Sequence, residues 1–239
     1  MESKQFAGYG NWKGWTSREF GTCDDSMAAY FRSELARCGI GDVAGRRILE
    51  IGFGNGEFAG WARRHGAHYT GTEINPALVR NAKSQGLDVH ASDAGLAGVV
   101  AWGSVDIVVA LDVFEHIPLG DLRAMLGEVR GCLRPGGLLL ARLPSGDSPF
   151  ARAIQHGDLT HRTALGSSAV RQLACEIGFE ALQVREPAFS LRGNGAIAGF
   201  RRAIVQVARR LAFPIIAALF MGGGSPVLTP NMVILFRNP

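Results

Sequence analysis

Three glycines at every second position, Gly52, Gly54 and Gly56, precede the carboxylate of Glu73, which lies 21 residues beyond the first of them. A short apolar run, Ile48, Leu49 and Ile51, leads into the glycines, and residues 57–65 read as a helix behind them. Strand, tight turn and helix in that order present backbone N–H groups to a nucleotide or to the carboxylate of an amino-acid-like ligand. Glycine lets the chain turn sharply and approach that ligand without an intervening Cβ. A dinucleotide site asks for G-x-G-x-x-G. Here Glu57 stands where the third glycine would be, an anion beside any pyrophosphate. A cofactor with a cationic centre and no phosphate suits the loop better. Glu73, expected at the tip of the second strand, can accept both hydroxyls of a ribose.

Two further polar clusters follow strand ends. Asp93, in Ser92-Asp93-Ala94, comes after a third strand, where it can meet a ligand or cap a turn. Asp112, in Asp112-Val113-Phe114-Glu115-His116-Ile117-Pro118, follows the apolar strand 105–111 and falls where parallel sheets bind ligands. Residues 144–163 hold Asp147, His156, Asp158, His161 and Arg162. A histidine at a cleft mouth can take a proton from an alcohol near neutral pH. His161 is the first candidate base and His156 the second, with Asp158 to orient the imidazole. A structural histidine that ties down the loop is the competing reading.

Residues 47–58 resemble motif I of the class I S-adenosylmethionine-dependent methyltransferases. Residues 112–118 are similar to the D-V-x-E-H-I stretch after the fourth strand in many small-molecule methyltransferases, and L-R-P-G-G-x-L-L-L at 133–141 also recurs there. Asp158-Leu159-Thr160-His161 resembles the D-x-T-H stretch of methyltransferases from bacterial cell-surface polysaccharide clusters, with Leu159 in place of the usual proline. The resemblance covers about residues 46–186. It implies S-adenosyl-L-methionine as cofactor, with Gly52, Gly54 and Gly56 cradling its methionine part. Glu73 would hold the ribose, Asp93 with Ala94 the adenine, and Asp112 the rim of the methionine site; Glu50 belongs to the same cofactor-binding set. It further implies O-methylation of a sugar hydroxyl on a surface glycan or its lipid-linked precursor. A quinone or other small lipid is the alternative acceptor, and a cofactor-binding scaffold without turnover is the non-enzymatic one.

The elements that must position these groups alternate. Helices are expected at 26–38, from Asn75-Pro76 to Gly86 with Ala77, Leu78 and Ala82 inward, at 119–133, and at 167–178 with Ser167 or Ser168 as cap. Strands are expected at 67–73, 87–91, 105–111, 138–143, 180–186 and 231–237. The succession predicts an α/β, doubly wound, Rossmann-like and mostly parallel sheet. The resemblance adds a seven-stranded count and an antiparallel last strand between the fifth and sixth. We divide the chain into an N-terminal cap, 1–45, with Phe6, Tyr9, Trp12, Trp15 and Phe20, and a methyltransferase-like domain, 46–239, with an insertion at 188–230.

At 239 residues and net charge +4 the chain suits one α/β domain with insertions. Only Lys4, Lys13 and Lys83 are lysines, so arginine carries nearly all the positive charge. The scattered Cys23, Cys38, Cys132 and Cys175 form no C-x-x-C, which argues against a zinc site or a disulfide frame, and no metal is expected. Glu2 and Lys4 without an apolar core argue against a secretory signal, and no stretch is read as a clean membrane span. The expected location is cytoplasmic, peripheral on the inner membrane if residues 200–221 meet lipid. That stretch pairs an apolar face, Phe200, Ala203, Ile204, Val207, Ala208 and Leu211, with Arg201, Arg202, Gln206, Arg209 and Arg210, and Pro214 should break or kink it. It could lie on an anionic surface, or bury its apolar face on the sheet or in a homodimer. Without interleaved stacking aromatics or a recognisable RNA-binding module, nucleic acid is a poorer fit and is not expected as a partner.

Overall fold

Strand β1 (Arg47–Ile51) is buried along all but its first residue. It pairs in parallel with β2 (His68–Glu73) on one side and β4 (Val105–Leu111) on the other, so Leu49 lies opposite both Thr70 and Val108. A strand covered on both faces needs apolar side chains pointing both ways, and the period of two is visible here. Ile48, Ile107, Val109 and Leu140 join one core layer, while Leu49, Val108, Leu139 and Ala141 join the other. The computed structural model describes residues 9–15, 19–189, 195–222 and 225–239; Phe6 lies outside them.

The strands run β3-β2-β1-β4-β5-β7-β6, with β3 at Val89–Ala91, β5 at Leu133–Pro144, β6 at Glu180–Arg185 and β7 at Asn231–Arg237. Pairings among the first five are parallel, and β7 is antiparallel to both β5 and β6. Helices α1 (Tyr9–Trp12) and α2 (Asp25–Arg37) precede the sheet. Helices α3 (Glu57–Arg64), α4 (Pro76–Ser84) and α5 (Leu119–Cys132) follow β1, β2 and β4, α6 (Arg152–Gln155) and α7 (Ser167–Ile177) both follow β5, and α8 (Gly195–Phe220) lies between β6 and β7. One layer packs α2 and α3 on the sheet through Phe31, Phe58 and Trp61; Phe31 meets Phe58 edge-on at 5.1 Å. The other packs Leu122, Leu126 and Val129 of α5 and Val170 and Leu173 of α7.

Several local expectations shift. Asp24, whose carboxylate accepts from Met27 N–H at 2.7 Å, starts α2 one residue early. In α4 the buried positions are Val79 and Ala82, with Ala77 exposed. Neither Ser167 nor Ser168 caps α7. Asp147, 20 residues upstream, accepts from Ser167 N–H at 3.0 Å, and its other oxygen accepts from Val227 N–H at 3.1 Å. Helix α8 runs 26 residues and continues unbroken through Pro214, the carbonyl one turn back giving up a partner.

Candidate functional site

The glycine turn after β1 stays tight because its neighbours fill the space a side chain would need. Gly52, Gly54 and Gly56 all have positive φ. A Cβ on Gly52 would stand 2.6 Å from Val113 Cγ2, and one on Gly54 would press on the Trp15 ring at 3.1 Å. Gly60, one turn into α3, is the packing glycine: its Cβ would fall 2.0 Å from the Gly21 carbonyl oxygen. Gly21 N–H in turn donates to Asn55 O at 2.8 Å, so residues 19–23 are clamped against the loop.

Together the carboxyl ends of β1, β2, β4 and β5 and the segment 13–15 enclose a cleft of ≈ 690 Å³. Gly52, Gly54, Glu50, Glu73 and Asp112 line it; Ser92 lines it after β3, while Asp93 and Ala94 are exposed beside Ser92. Glu73 is buried, accepting from Gly54 N–H at 3.0 Å and Asn75 N–H at 2.9 Å. Its carboxyl therefore ties the glycine loop to the end of β2, and burial raises its pKa against those bonds. Glu50 accepts from the Tyr69 hydroxyl at 2.6 Å, and burial, with Glu73 adding, pushes it up to about 8. Asp112, the one non-glycine residue of positive φ among those described, forms a two-pronged pair with Arg142, whose guanidinium also lies over the Tyr30 ring at 5.2 Å.

Opposite these acids stands a second cluster. His116 lines the cleft; His161 and His156 do not. His161, its side chain 5% exposed, lies edge-on behind His116 with ring centres 4.8 Å apart. Its Nδ1 donates to Gln155 O at 3.0 Å, and its Nε2 stands 3.8 Å from Asp158 and 4.0 Å from Glu115. His156 is exposed at the end of α6. Asp158 is buried, takes the Thr160 hydroxyl and N–H at 2.6 and 2.9 Å, and lies 3.6 Å from Lys13 Nζ. Because the Thr160 hydroxyl proton goes to Asp158, Thr160 Oγ1 accepts from His116 Nδ1 at 2.8 Å. This assigns the His116 tautomer and makes Nε2 the basic nitrogen. Burial and the neighbouring His161 lower the His116 pKa, so the ring is neutral at pH 7. The buried Glu115 is held protonated well above the carboxylate range by burial and by Asp112.

His116 and Glu115 fall inside the stretch after β4, so the sequence carries their signal, while the D-x-T-H likeness points to His161. One atom each from Glu115, His116 and His161 lie within 4.8 Å of one another, a set that could hold a divalent cation. With Glu50 pushed up to about 8 and Asp112 and Arg142 paired with each other, the cleft's Glu57, Glu73 and Asp121 stand against Lys13 and Arg162. Such a wall fits a cationic nucleoside and repels a pyrophosphate.

A sequence family described as a methyltransferase domain matches residues 24–184. Similar curated proteins include the ubiquinone biosynthesis O-methyltransferase of Xanthomonas oryzae pv. oryzae (strain PXO99A), 32% identical over 120 residues, 47% of this chain and 49% of that protein. An uncharacterized methyltransferase of Mycobacterium sp. (strain JLS) is 31% identical over 137 residues, 56% of this chain and 53% of its own. The chain thus spans about half the length of the curated relatives it matches. Of solved structures, a SAM dependent methyltransferase from Archaeoglobus fulgidus matches with TM-score 0.61 at 17% identity, over 88% of this chain and 94% of the other. Burkholderia thailandensis 1,6-didemethyltoxoflavin-N1-methyltransferase, solved with S-adenosylhomocysteine, matches with TM-score 0.56 at 15% identity, over 98% and 85%. The last two share the fold.

Proposed function

Because the chain belongs to the class I S-adenosylmethionine-dependent methyltransferases, we propose that it methylates a phenol-type hydroxyl on the ring of a small, lipid-borne acceptor, with His116 as general base. The observation that carries this reading is His116 on the cleft wall, its Nδ1 held by Thr160 and Thr160 held by Asp158. The bound cofactor supplies a methyl on a positively charged sulfur. The acceptor oxygen would take that methyl as the sulfur leaves with the electrons of its bond, and His116 Nε2 would take the proton that the hydroxyl gives up. Holding the two in line is the larger contribution, and the base adds roughly 10²–10⁴-fold.

A neutral imidazole of lowered pKa is closer in strength to a phenol, pKa about 10, than to an aliphatic alcohol. The names of the Xanthomonas relatives support the same choice over a sugar hydroxyl. Met27, Phe31, Val113, Ile117 and Met125 on the cleft wall suit an apolar ring. Glu73 as ribose acceptor, Asp93 with Ala94 at the adenine edge, and the glycines with Glu50 and Asp112 around the methionine part complete the reading. Residues 1–45 act as its cap, and a cytoplasmic protein touching the membrane through 200–221 would meet a lipid-borne acceptor there.

The test is methyl transfer from labelled cofactor to a soluble dihydroxybenzene and, separately, to a polyprenyl-phosphate sugar. His116→Ala should lose roughly 10²–10⁴-fold in kcat with cofactor Kd unchanged, and wild-type kcat should rise as pH climbs through the lowered His116 pKa, then level. Transfer to the sugar alone would return the acceptor to the glycan class. An undiminished rate in His116→Ala would remove it as base, and absence of transfer to any cell fraction would favour the scaffold.

A further inference from the structure

Helix α8 wears its apolar face outward. Phe200, Ile204, Val207, Leu211 and Ile215 fall on one side by helical spacing and are 54–70% exposed. On the other side Arg202, Gln206, Arg209 and Phe213 are partly covered and Ala217 is buried. A surface helix ordinarily turns its apolar stripe to the core; this one presents it to the surroundings, which corrects the expectation that it could be buried on the sheet. Exposed Arg201 and Arg210 border the stripe on its two flanks. The covered side of the helix meets segment 150–159. Phe213 stacks on Phe150 at 6.4 Å, and Phe150, Ile154 and Leu159 are 52%, 41% and 96% exposed. Leu159 adjoins Asp158, which pairs with Lys13 on the cleft wall. Segment 150–159 therefore joins the helix to the lip of the cleft.

Charge chooses the occupant. From residue 187 to the end there is no Asp or Glu, and α8 carries four arginines. A second copy packed on the same stripe would set arginine against arginine across a two-fold axis. An anionic lipid surface supplies the opposite charge and the apolar phase together. Contrary to the sequence expectation, Gly199–Phe220 is long and apolar enough by length and composition to cross a membrane. Arg209 and Arg210 would then sit at mid-span, the costliest place for them, whereas lying in the plane keeps exposed Arg210 at headgroup level and leaves Arg209 on the protein-facing side.

We propose that α8 is an in-plane membrane anchor. Its stripe of Phe200, Ile204, Val207, Leu211 and Ile215 enters the headgroup–acyl boundary of an anionic bilayer, and Arg201 and Arg210 meet lipid phosphates. Entry of the acceptor from the bilayer rests on the acceptor reading above; the anchor itself does not.

Sedimentation of the full chain with vesicles tests it. Wild type should bind phosphatidylcholine vesicles containing about a third phosphatidylglycerol at least ~10-fold more strongly than phosphatidylcholine alone, and salt should weaken the difference. I204D/L211D should lose binding to both by ~10-fold or more, and R201E/R210E should lose the preference for the anionic vesicles. Both variants should keep wild-type cofactor affinity by calorimetry, which shows that they fold. Equal wild-type binding to both vesicles, or none, would overturn the anchor. So would a wild-type dimer in sedimentation velocity that I204D/L211D dissolves while vesicle binding is absent. If vesicles bind as stated but no phenol is methylated, the acceptor reading fails and the anchor stands.

Discussion

Replacing Glu50 by Gln should turn a pH-dependent cofactor affinity into a flat one. Glu50 lines the cleft, is fully buried, and is pushed up to about 8 by burial, with the Glu73 charge adding and the 2.6 Å Tyr69 bond opposing. Below pH 8 it is mostly protonated in the free protein. S-adenosylmethionine brings a sulfonium and an ammonium, and the ionised carboxylate favours both, so binding below pH 8 releases a proton. Affinity should then rise about tenfold per pH unit up to pH 8, each unit being ~1.4 kcal/mol, and level above it. Between pH 6 and pH 9 the gain is about 100-fold. Stability runs the other way. The folded pKa is raised above the ordinary 4.5, so the unfolded chain releases the proton first. The ligand-free protein loses stability as pH rises from about 4.5 to about 8, and Glu50→Gln should blunt that loss. Titration calorimetry in two buffers of different ionisation enthalpy gives Kd and the proton count directly. A wild-type Kd constant from pH 6 to 9 with no proton released, or the same slope in Glu50→Gln, would refute the reasoning.

Glu73→Ala should weaken cofactor binding by about 100-fold or more in the same calorimeter, because it removes the acceptor for Gly54 and Asn75 N–H as well as the ribose partner, at about 1.5–3 kcal/mol per charged bond; Glu73→Gln should lose less. Gly60→Ala drives a Cβ against the Gly21 carbonyl, a backbone atom that cannot rotate away. A loss of about 1–3 kcal/mol in denaturant unfolding is expected, with weaker cofactor affinity as residues 19–23 lift from the loop. Exhaustive chelation followed by assay tests the cluster of Glu115, His116 and His161: a general-base role for His116 alone predicts an unchanged rate, and a rate lost to chelator and restored by one divalent metal would assign the cluster to a cation.

Much of the scaffold was legible because it depends on short-range rules. The apolar runs of β1 and β4 must be buried on both faces, and the glycines must take positive φ, whatever surrounds them. Asp147 was not legible as the cap of α7, because its partners at Ser167 and Val227 are remote in sequence. Nor was Gly60: nothing local marks a glycine that exists to admit the carbonyl of Gly21.

By itself, then, the sequence determined the glycine-turn side of the cleft: a glycine turn, an acid at the next strand tip, and a wall without phosphate-binding character, all readable from spacing along one chain direction. Only the tertiary structure decided the histidine side. Whether His116 or His161 faces the cleft depends on how residues 158–163 fold back on residues 115–117, and Thr160, 44 positions away, sets the tautomer of His116. The same holds for α8. Its periodicity fixes which residues share a face, but only packing decides which face looks outward, since side chains on a helix gain a partner or solvent according to what the rest of the chain places beside them.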